Sequence, residues 1–181
     1  ENCISLGSLR FIFGLLVFLW FGMSFAQEEE AILWHPKQRL SWVNFKAEPI
    51  EGSKVAATTA SGLSYQFSAT EEDGKYELDY SISTFFYPDR SWYQPKICDE
   101  VILSHEQLHF DISELFARKM RKIMDTTTFT KNVKAEVKAI YRKINKELAE
   151  FQQVYDNETN YSRNIEQQLS WNQKIKDALG N

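Results

Sequence analysis

Cysteine is nearly absent from this chain. Of two cysteines in 181 residues, Cys3 lies in an N-terminal apolar segment, which leaves Cys98 without an internal partner and excludes a disulfide framework; stability must come from packing or from a metal. A cysteine lipid anchor is not expected, because Cys3 precedes the apolar run instead of following it. Cys98, seven residues ahead of the first motif histidine, reads as a buried free thiol. Glycine and proline are scarce, at seven and four, so collagenous and low-complexity architectures are out. No basic block occurs: Lys and Arg alternate with acids, the net charge is −4, and nucleic acid is not an expected partner. No repeat is visible. Histidine is also rare, with three in the chain, and two of those stand four residues apart.

The first 26 residues form a unit of their own. Arg10 precedes an apolar run from Phe11 to Phe21, and Ser24-Phe25-Ala26 supplies small residues at the right offsets for a signal peptide cleaved before Gln27. The apolar stretch to Phe25 is shorter than the roughly 20 residues of a spanning helix, so no stable membrane anchor is expected after cleavage. Residues 27–181 then constitute one exported domain, periplasmic or extracellular, long enough for a real core. Cleavage removes one acid, Glu1, and one base, Arg10, and leaves the charge balance unchanged. A short acidic leader, Gln27 to Glu30, opens that domain.

Two stretches alternate in the manner of half-buried strands. Leu63, Tyr65, Phe67 and Ala69 interleave with Ser64, Gln66 and Ser68; Tyr76, Leu78, Tyr80 and Ile82 interleave with Glu77, Asp79 and Ser81. Asp73-Gly74 between them predicts a hairpin turn and an antiparallel pair. Leu40 to Phe45 alternates weakly and predicts a first strand, and the small residues of Val55 to Gly62 suit a place where another element approaches closely. The aromatic passage Phe85 to Tyr93 suits a hydrophobic plug over the end of the sheet better than a cleft lining. A strand edge near Ser83 to Phe86 would suit an extended peptide added as a further strand.

From about Asp99 to Met124 the pattern turns helical, with Val101, Leu108, Ile112, Leu115, Phe116 and Met120 on one stripe. Asp125 to Thr128 breaks it. A second helix runs through Val133, Val137, Ile140, Ile144, Leu148 and Phe151, a polar interruption follows over Tyr155 to Ser162, and a third helix ends near Gly180. The expected fold class is therefore α+β: a small antiparallel sheet packed with one long helix and two further helices, zincin-like in arrangement.

That long helix carries His105-Glu106-Gln107-Leu108-His109, an HExxH string. Positions i and i+4 stack one turn apart, so His105 and His109 can direct two imidazole nitrogens at one Zn2+ about 2.0–2.1 Å away. Glu106, rotated by about 100°, can hold the polarised water and take its proton as general base. Chance would produce the string in a chain of this composition in on the order of a few cases per thousand. The competing reading makes both histidines packed core residues of a metal-free adapter, since the apolar stripe lies on much the same side. A catalytic zinc has three protein ligands and an open position, so one ligand remains to be found. His35, before Pro36, is a formal candidate; Glu147 and Glu150 could approach if the second helix folds back antiparallel, whereas Glu114 lies too far round and along its helix.

Leu103-Ser104-His105-Glu106-Gln107-Leu108-His109-Phe110-Asp111-Ile112, with Glu114-Leu115 and Ala117-Arg118-Lys119 after it, resembles the bacterial "domain of unknown function 922" family, described as predicted secreted zinc-dependent proteases. Leu40-Ser41-Trp42, Phe45, Ala56-Ala57-Thr58, Ser61-Gly62, Ser91-Trp92, Tyr155-Asp156, Glu158-Thr159 and Trp171 extend the resemblance over nearly the whole exported chain. It implies a bacterial exported protein with a metal-hydrolase-like fold. Two positions depart from the family's habit: Asn44 stands where Asp is frequent, and Tyr161-Ser162 where His-Gly is frequent. Glu158, which matches the family, is the implied third ligand in a His, His, Glu set; Tyr161 is the alternative, a phenol in place of an imidazole. Asp111 also matches, either as a group that holds an imidazole or caps a neighbour, or as an exposed acid paired with Arg118.

The expected function is a secreted zinc-dependent metallopeptidase, in which a zinc-activated water attacks the carbonyl of a peptide or protein substrate with Glu106 as general base. The alternative is a non-catalytic exported binding or scaffold domain with a degenerate or structural metal site. Oligomeric state is not readable from the residues.

Overall fold

A computed structural model describes residues 29–180; the expected signal peptide, residues 1–26, lies outside the described residues. In chain order the elements are β1 (Ile32–Leu33), a 3-10 turn (Trp42–Asn44), β2 (Ala57–Thr58), β3 (Ser61–Glu72), β4 (Lys75–Phe86), a second 3-10 turn (Pro88–Arg90), β5 (Trp92–Tyr93), α1 (Glu100–Thr126), α2 (Val133–Thr159) and α3 (Ile165–Leu179). The class is α+β, with small antiparallel sheets and three helices. No helix among the described residues is long and apolar enough to cross a membrane.

The β3–β4 hairpin pairs antiparallel along its whole length, from Ser61 opposite Phe86 to Glu72 opposite Lys75. Its two-residue loop, Asp73-Gly74, has φ of 50° and 76°, the left-handed pair that lets strand twist continue through the turn. Leu63 and Ile82 are buried on the face that meets α1, and the aromatics nearer the tip, Tyr65, Phe67, Tyr76 and Tyr80, are half-buried beside them. β4 is central: β3 lies on one side, and β1 takes the other at Phe85 and Phe86, with Trp34 N donating to Thr84 O at 2.9 Å. The strand edge near Ser83 to Phe86 is therefore already occupied and cannot add a peptide, which corrects that expectation.

Leu40 to Phe45 is not a strand. Ser41 precedes one 3-10 turn, and Asn44 Oδ1 accepts from Ser41 N at 2.8 Å. A short polar side chain that captures nearby main chain competes with sheet pairing, and here it wins. Trp42 stacks on Tyr93 with ring centroids 4.5 Å apart. Phe45 packs with Leu40, Phe86 and Phe110 in a second apolar cluster, so the aromatic passage is a plug.

Helix α1 begins where Asp99 accepts from the main-chain N–H groups of Val101 and Ile102, both at 3.0 Å, which satisfies donors that the first turn otherwise leaves open. At about 1.5 Å per residue it is about 40 Å long. It packs against β3 and β4 on one side and α2 and α3 on the other. His105, Glu106, Gln107 and Leu108 are consecutively buried, so at the level of the motif the helix is covered all round. Helix α2 continues without interruption to Thr159, through most of the polar stretch, Tyr155 to Ser162, that the sequence pattern marks as a break. Tyr155 and Thr159 extend the buried stripe of Ile144, Leu148 and Phe151. The chain turns only at Asn160, Tyr161 and Ser162, three successive residues at positive φ.

Candidate metal centre

Small side chains let the strand segment approach α1 where the motif sits. Thr59 Oγ1 donates to Glu106 O at 3.1 Å, and Ser61 Oγ lies 2.9 Å from Ser113 Oγ. His105 and His109 stand on the other side, their rings 5.0 Å apart and nearly perpendicular. Across from them runs α2, antiparallel, and it presents a matching pair of polar residues one turn apart. Gln152 Nε2 donates to His109 O at 3.1 Å. Asp156 places Oδ1 at 3.2 Å from His105 Nε2 and at 3.0 Å from His109 Nε2.

These three atoms converge without hydrogen-bonding one another. Asp156 Oδ1 is buried and has no hydrogen-bond partner, although two imidazole nitrogens are at contact distance. A buried carboxylate oxygen left in that condition costs free energy unless something other than a hydrogen bond satisfies it. A small divalent ion would do so. Donors about 2.0–2.1 Å from a tetrahedral ion stand about 3.3 Å from one another, close to the separations found here. His105, His109 and Asp156 could thus hold a metal ion, and two imidazoles with one carboxylate is a donor set that divalent transition ions accept. Burial pushes the Asp156 carboxyl up, but the two imidazoles at contact distance outweigh it and hold the group below the usual carboxylate range.

The imidazoles are themselves held. His105 Nδ1 lies 2.9 Å from Gln168 Oε1 of α3. The ring of Tyr155 stacks on His105 at 4.5 Å, and its hydroxyl lies 3.2 Å from His105 O. Burial pushes the Tyr155 phenol far above the usual tyrosine value, so it stays neutral and remains a hydrogen-bond donor.

Glu106, the expected general base, is 5% exposed, and no protein donor reaches its carboxylate among the described residues. Its charge is felt at Tyr155, on the metal-ligand side, and at Cys98 on the other. The carboxylate that meets both histidines is Asp156, not Glu158: Glu158 Oε2 accepts from Trp171 Nε1 at 2.8 Å. Tyr161 is 53% exposed on the turn after α2, with no hydrogen bond from its phenol among the described residues. Glu147 pairs with Lys119 at 2.7 Å, two to three turns beyond the motif, and Glu150 faces Lys146 in solvent. His35 is an exposed loop residue.

Asp111 is buried and accepts from Trp34 Nε1, Arg39 Nη1 and Gln107 Nε2 at 2.8, 2.8 and 2.9 Å. It ties the N-terminal segment to α1 and touches neither an imidazole nor Arg118. Arg118 belongs to Glu114, which also accepts from Thr84 and Arg121. Cys98 is half-buried, its Sγ 3.2 Å from Ala56 O, and burial pushes its thiol up, which leaves it inert.

Two residues at the centre were not singled out from sequence. Asp156 was present as a matched Tyr155-Asp156 pair, and the usable signal was its spacing: it stands one turn from Gln152, beside the Leu148–Tyr155 stripe that faces α1. Gln168 had no local signal, because its role depends on how α3 packs. No curated protein and no solved structure matches the chain. Residues 41–163, which include both histidines, Glu106 and Asp156, match the family described as "Bacterial protein of unknown function (DUF922)", and the protein belongs to that family.

Proposed function

We propose that the protein is an exported, zinc-dependent hydrolase of peptide bonds, zincin-like in the placement of its HExxH helix. One observation carries this reading: a buried carboxylate oxygen, orphaned for hydrogen bonds, stands at 3.2 and 3.0 Å from the two motif imidazoles. His105 Nε2, His109 Nε2 and Asp156 Oδ1 would hold the ion, and three protein donors leave a fourth position open, as catalytic zinc sites do. Bound zinc supplies an acidified water and polarises the substrate carbonyl.

The chain's own residues do the rest. Glu106 takes the proton of the attacking water on its carboxylate and returns it to the leaving amine, which requires it to be ionised at the start and within reach of both. Its lack of a protein donor leaves both oxygens free for that exchange. Asp156, held ionised by its neighbours, brings one negative charge to the donor set. Burial of His105 and Glu106 excludes bulk water and lowers the local dielectric, which strengthens each charge interaction in the step. Export rests on residues 1–26 as read from sequence.

The test is zinc content and peptide hydrolysis, measured together on residues 27–181 and on Glu106→Gln. About one equivalent of zinc in both, with casein or a peptide library cleaved by the wild type alone and chelator abolishing cleavage, is the expected result. Unchanged hydrolysis in Glu106→Gln would remove Glu106 from the mechanism. Zinc in both with no cleavage of any peptide would leave the ion as a structural cross-link between α1 and α2, in an exported binding domain.

A further inference from the structure

Helix α3 begins at Ile165, beyond the segment that matches the family, yet one of its residues reaches the metal ligands. Gln168 is 2% exposed, and its amide is engaged at both ends. Oε1 lies 2.9 Å from His105 Nδ1; Nε2 donates to Tyr155 Oη at 2.8 Å and to Asn172 Oδ1 at 2.9 Å. Asn172 Nδ2 in turn donates to Ser104 Oγ at 2.9 Å.

The polarity of this relay is set at the Gln168 amide. Its nitrogen donates to Tyr155 Oη and Asn172 Oδ1, and its oxygen faces both His105 Nδ1 at 2.9 Å and the Tyr155 hydroxyl at 3.0 Å. The phenol has one proton to give and two acceptors in reach, that oxygen and the His105 carbonyl at 3.2 Å; neither choice moves the amide oxygen away from Nδ1. An oxygen that only accepts requires a proton on Nδ1. The neutral imidazole has one proton, so Nε2 carries the lone pair, and Nε2 is the atom beside Asp156 Oδ1.

We infer that Gln168 is a positioning residue of the metal centre: through an amide oxygen set against Nδ1, with its amide nitrogen engaged by Tyr155 and Asn172, it selects the His105 tautomer that offers Nε2 to the ion. The inference rests on the metal reading above for its consequence, and on hydrogen-bond chemistry alone for the tautomer. Each arm has its own readout.

The first arm is nitrogen NMR of the metal-free protein labelled at histidine, with the His105 signals identified by their loss in His105→Ala. Wild type is expected to show the Nδ1–H tautomer, and Gln168→Leu a shift towards Nε2–H. A wild-type His105 in the Nε2–H form would overturn the inference whether or not zinc binds. The second arm is zinc affinity by competition with a chromophoric chelator. Gln168→Leu should weaken binding by about 10–100-fold, the range seen when the partner of a metal-bound histidine is lost. Gln168→Glu, which keeps an acceptor on Nδ1, should bind as tightly as wild type or more so.

A residue that merely packs would give the opposite order, because leucine is benign in a buried site and a carboxylate is not. Equal affinity in wild type and Gln168→Leu would therefore overturn the inference. Wild-type protein that takes up no zinc would instead defeat the metal reading, with the tautomer arm still deciding what Gln168 does.

Discussion

Replacing Asp156 by alanine should remove most of the stabilisation that zinc gives, and replacing Glu158 should not. The ion would join two histidines of α1 to a carboxylate of α2, a cross-link that the unfolded chain lacks, so binding adds to folding stability by mass action. At free zinc 100 times the dissociation constant, that addition is about 2.7 kcal/mol. In a domain of about 150 residues each kcal/mol moves the melting temperature by about 2–4 °C, so zinc should raise it by about 5–11 °C. Asp156→Ala removes one of three donors. If affinity falls by about 100-fold, the same zinc concentration now equals the dissociation constant, the gain drops to about 0.4 kcal/mol, and the shift shrinks to about 1 °C.

Glu158→Ala deletes the acceptor of the Trp171 indole N–H on an exposed flank of α2. A hydrogen bond there is worth about 1 kcal/mol, so the starting melting temperature should fall by about 2–4 °C while the zinc-induced rise stays whole. Scanning calorimetry of the two variants and the wild type, each with chelator and with zinc, separates the roles. A full zinc shift in Asp156→Ala with none in Glu158→Ala would refute the assignment of the third ligand. No shift in wild type would refute the metal centre.

Three further outcomes follow from other parts of the fold. Ser162 has φ of 71°, a conformation that costs a residue with a Cβ about 1–2 kcal/mol; Ser162→Gly relieves it but frees the unfolded chain by about 0.5–1 kcal/mol, so urea unfolding should show a net gain of about 0.5 kcal/mol, and a loss would mean that the Ser162 side chain holds the turn. Glu114 is a buried carboxylate shared by Thr84, Arg118 and Arg121. Glu114→Ala should cost about 2–3 kcal/mol, discounted because both arginines are about a third exposed, and a urea midpoint within error of wild type would exclude that role. Burial and the Asp125 carboxylate push Tyr80 up to about 12. Only the unfolded chain then deprotonates this tyrosine just above its ordinary value near 10, so its contribution is complete below pH 10 and lost as pH rises through 12. Ultraviolet titration should show a tyrosine that ionises near pH 12, earlier than the more deeply buried Tyr155, and that Tyr80→Phe removes; an unchanged curve would sink the assignment.

What could be read from the residues alone was whatever one element decides by itself. The hairpin needed only a two-residue period and Asp73-Gly74; α1 needed only Asp99, its apolar stripe and the four-residue spacing of His105 and His109. Two readings failed where local chemistry pointed both ways. At 40–45 the alternation of Leu40 and Trp42 with their neighbours suits a strand, but Asn44 captures the main chain of Ser41. At 155–162 the polar types suited a break. Yet Asp156, Asn157 and Glu158 flank a stripe that Tyr155 and Thr159 carry on, and α2 runs through.

The third member of the His105–His109–Asp156 cluster could not be read in that way, because it depends on the register between two helices. If the chain turned back sharply near residue 127, the level of the motif would fall opposite Glu147. The connection from Thr127 to Asn132 instead spends six residues outside either helix, which moves the facing level along α2 to Gln152 and Asp156 and leaves Glu147 with Lys119. Glu158 lies two positions past Asp156, about 200° round the helix, so a register that brings one to the histidines turns the other away. What the sequence does hold is a pair on each helix at the same spacing: His105 with His109, and Gln152 with Asp156, each one turn apart beside a buried stripe. Two antiparallel helices that present such pairs to each other can meet in few registers, and the one adopted here puts an amide on the carbonyl of the second histidine and a carboxylate between both rings. The His105–His109–Asp156 cluster is thus a property of the α1–α2 interface, and a change in the length of the Thr127–Asn132 connection would alter it without touching any of its members.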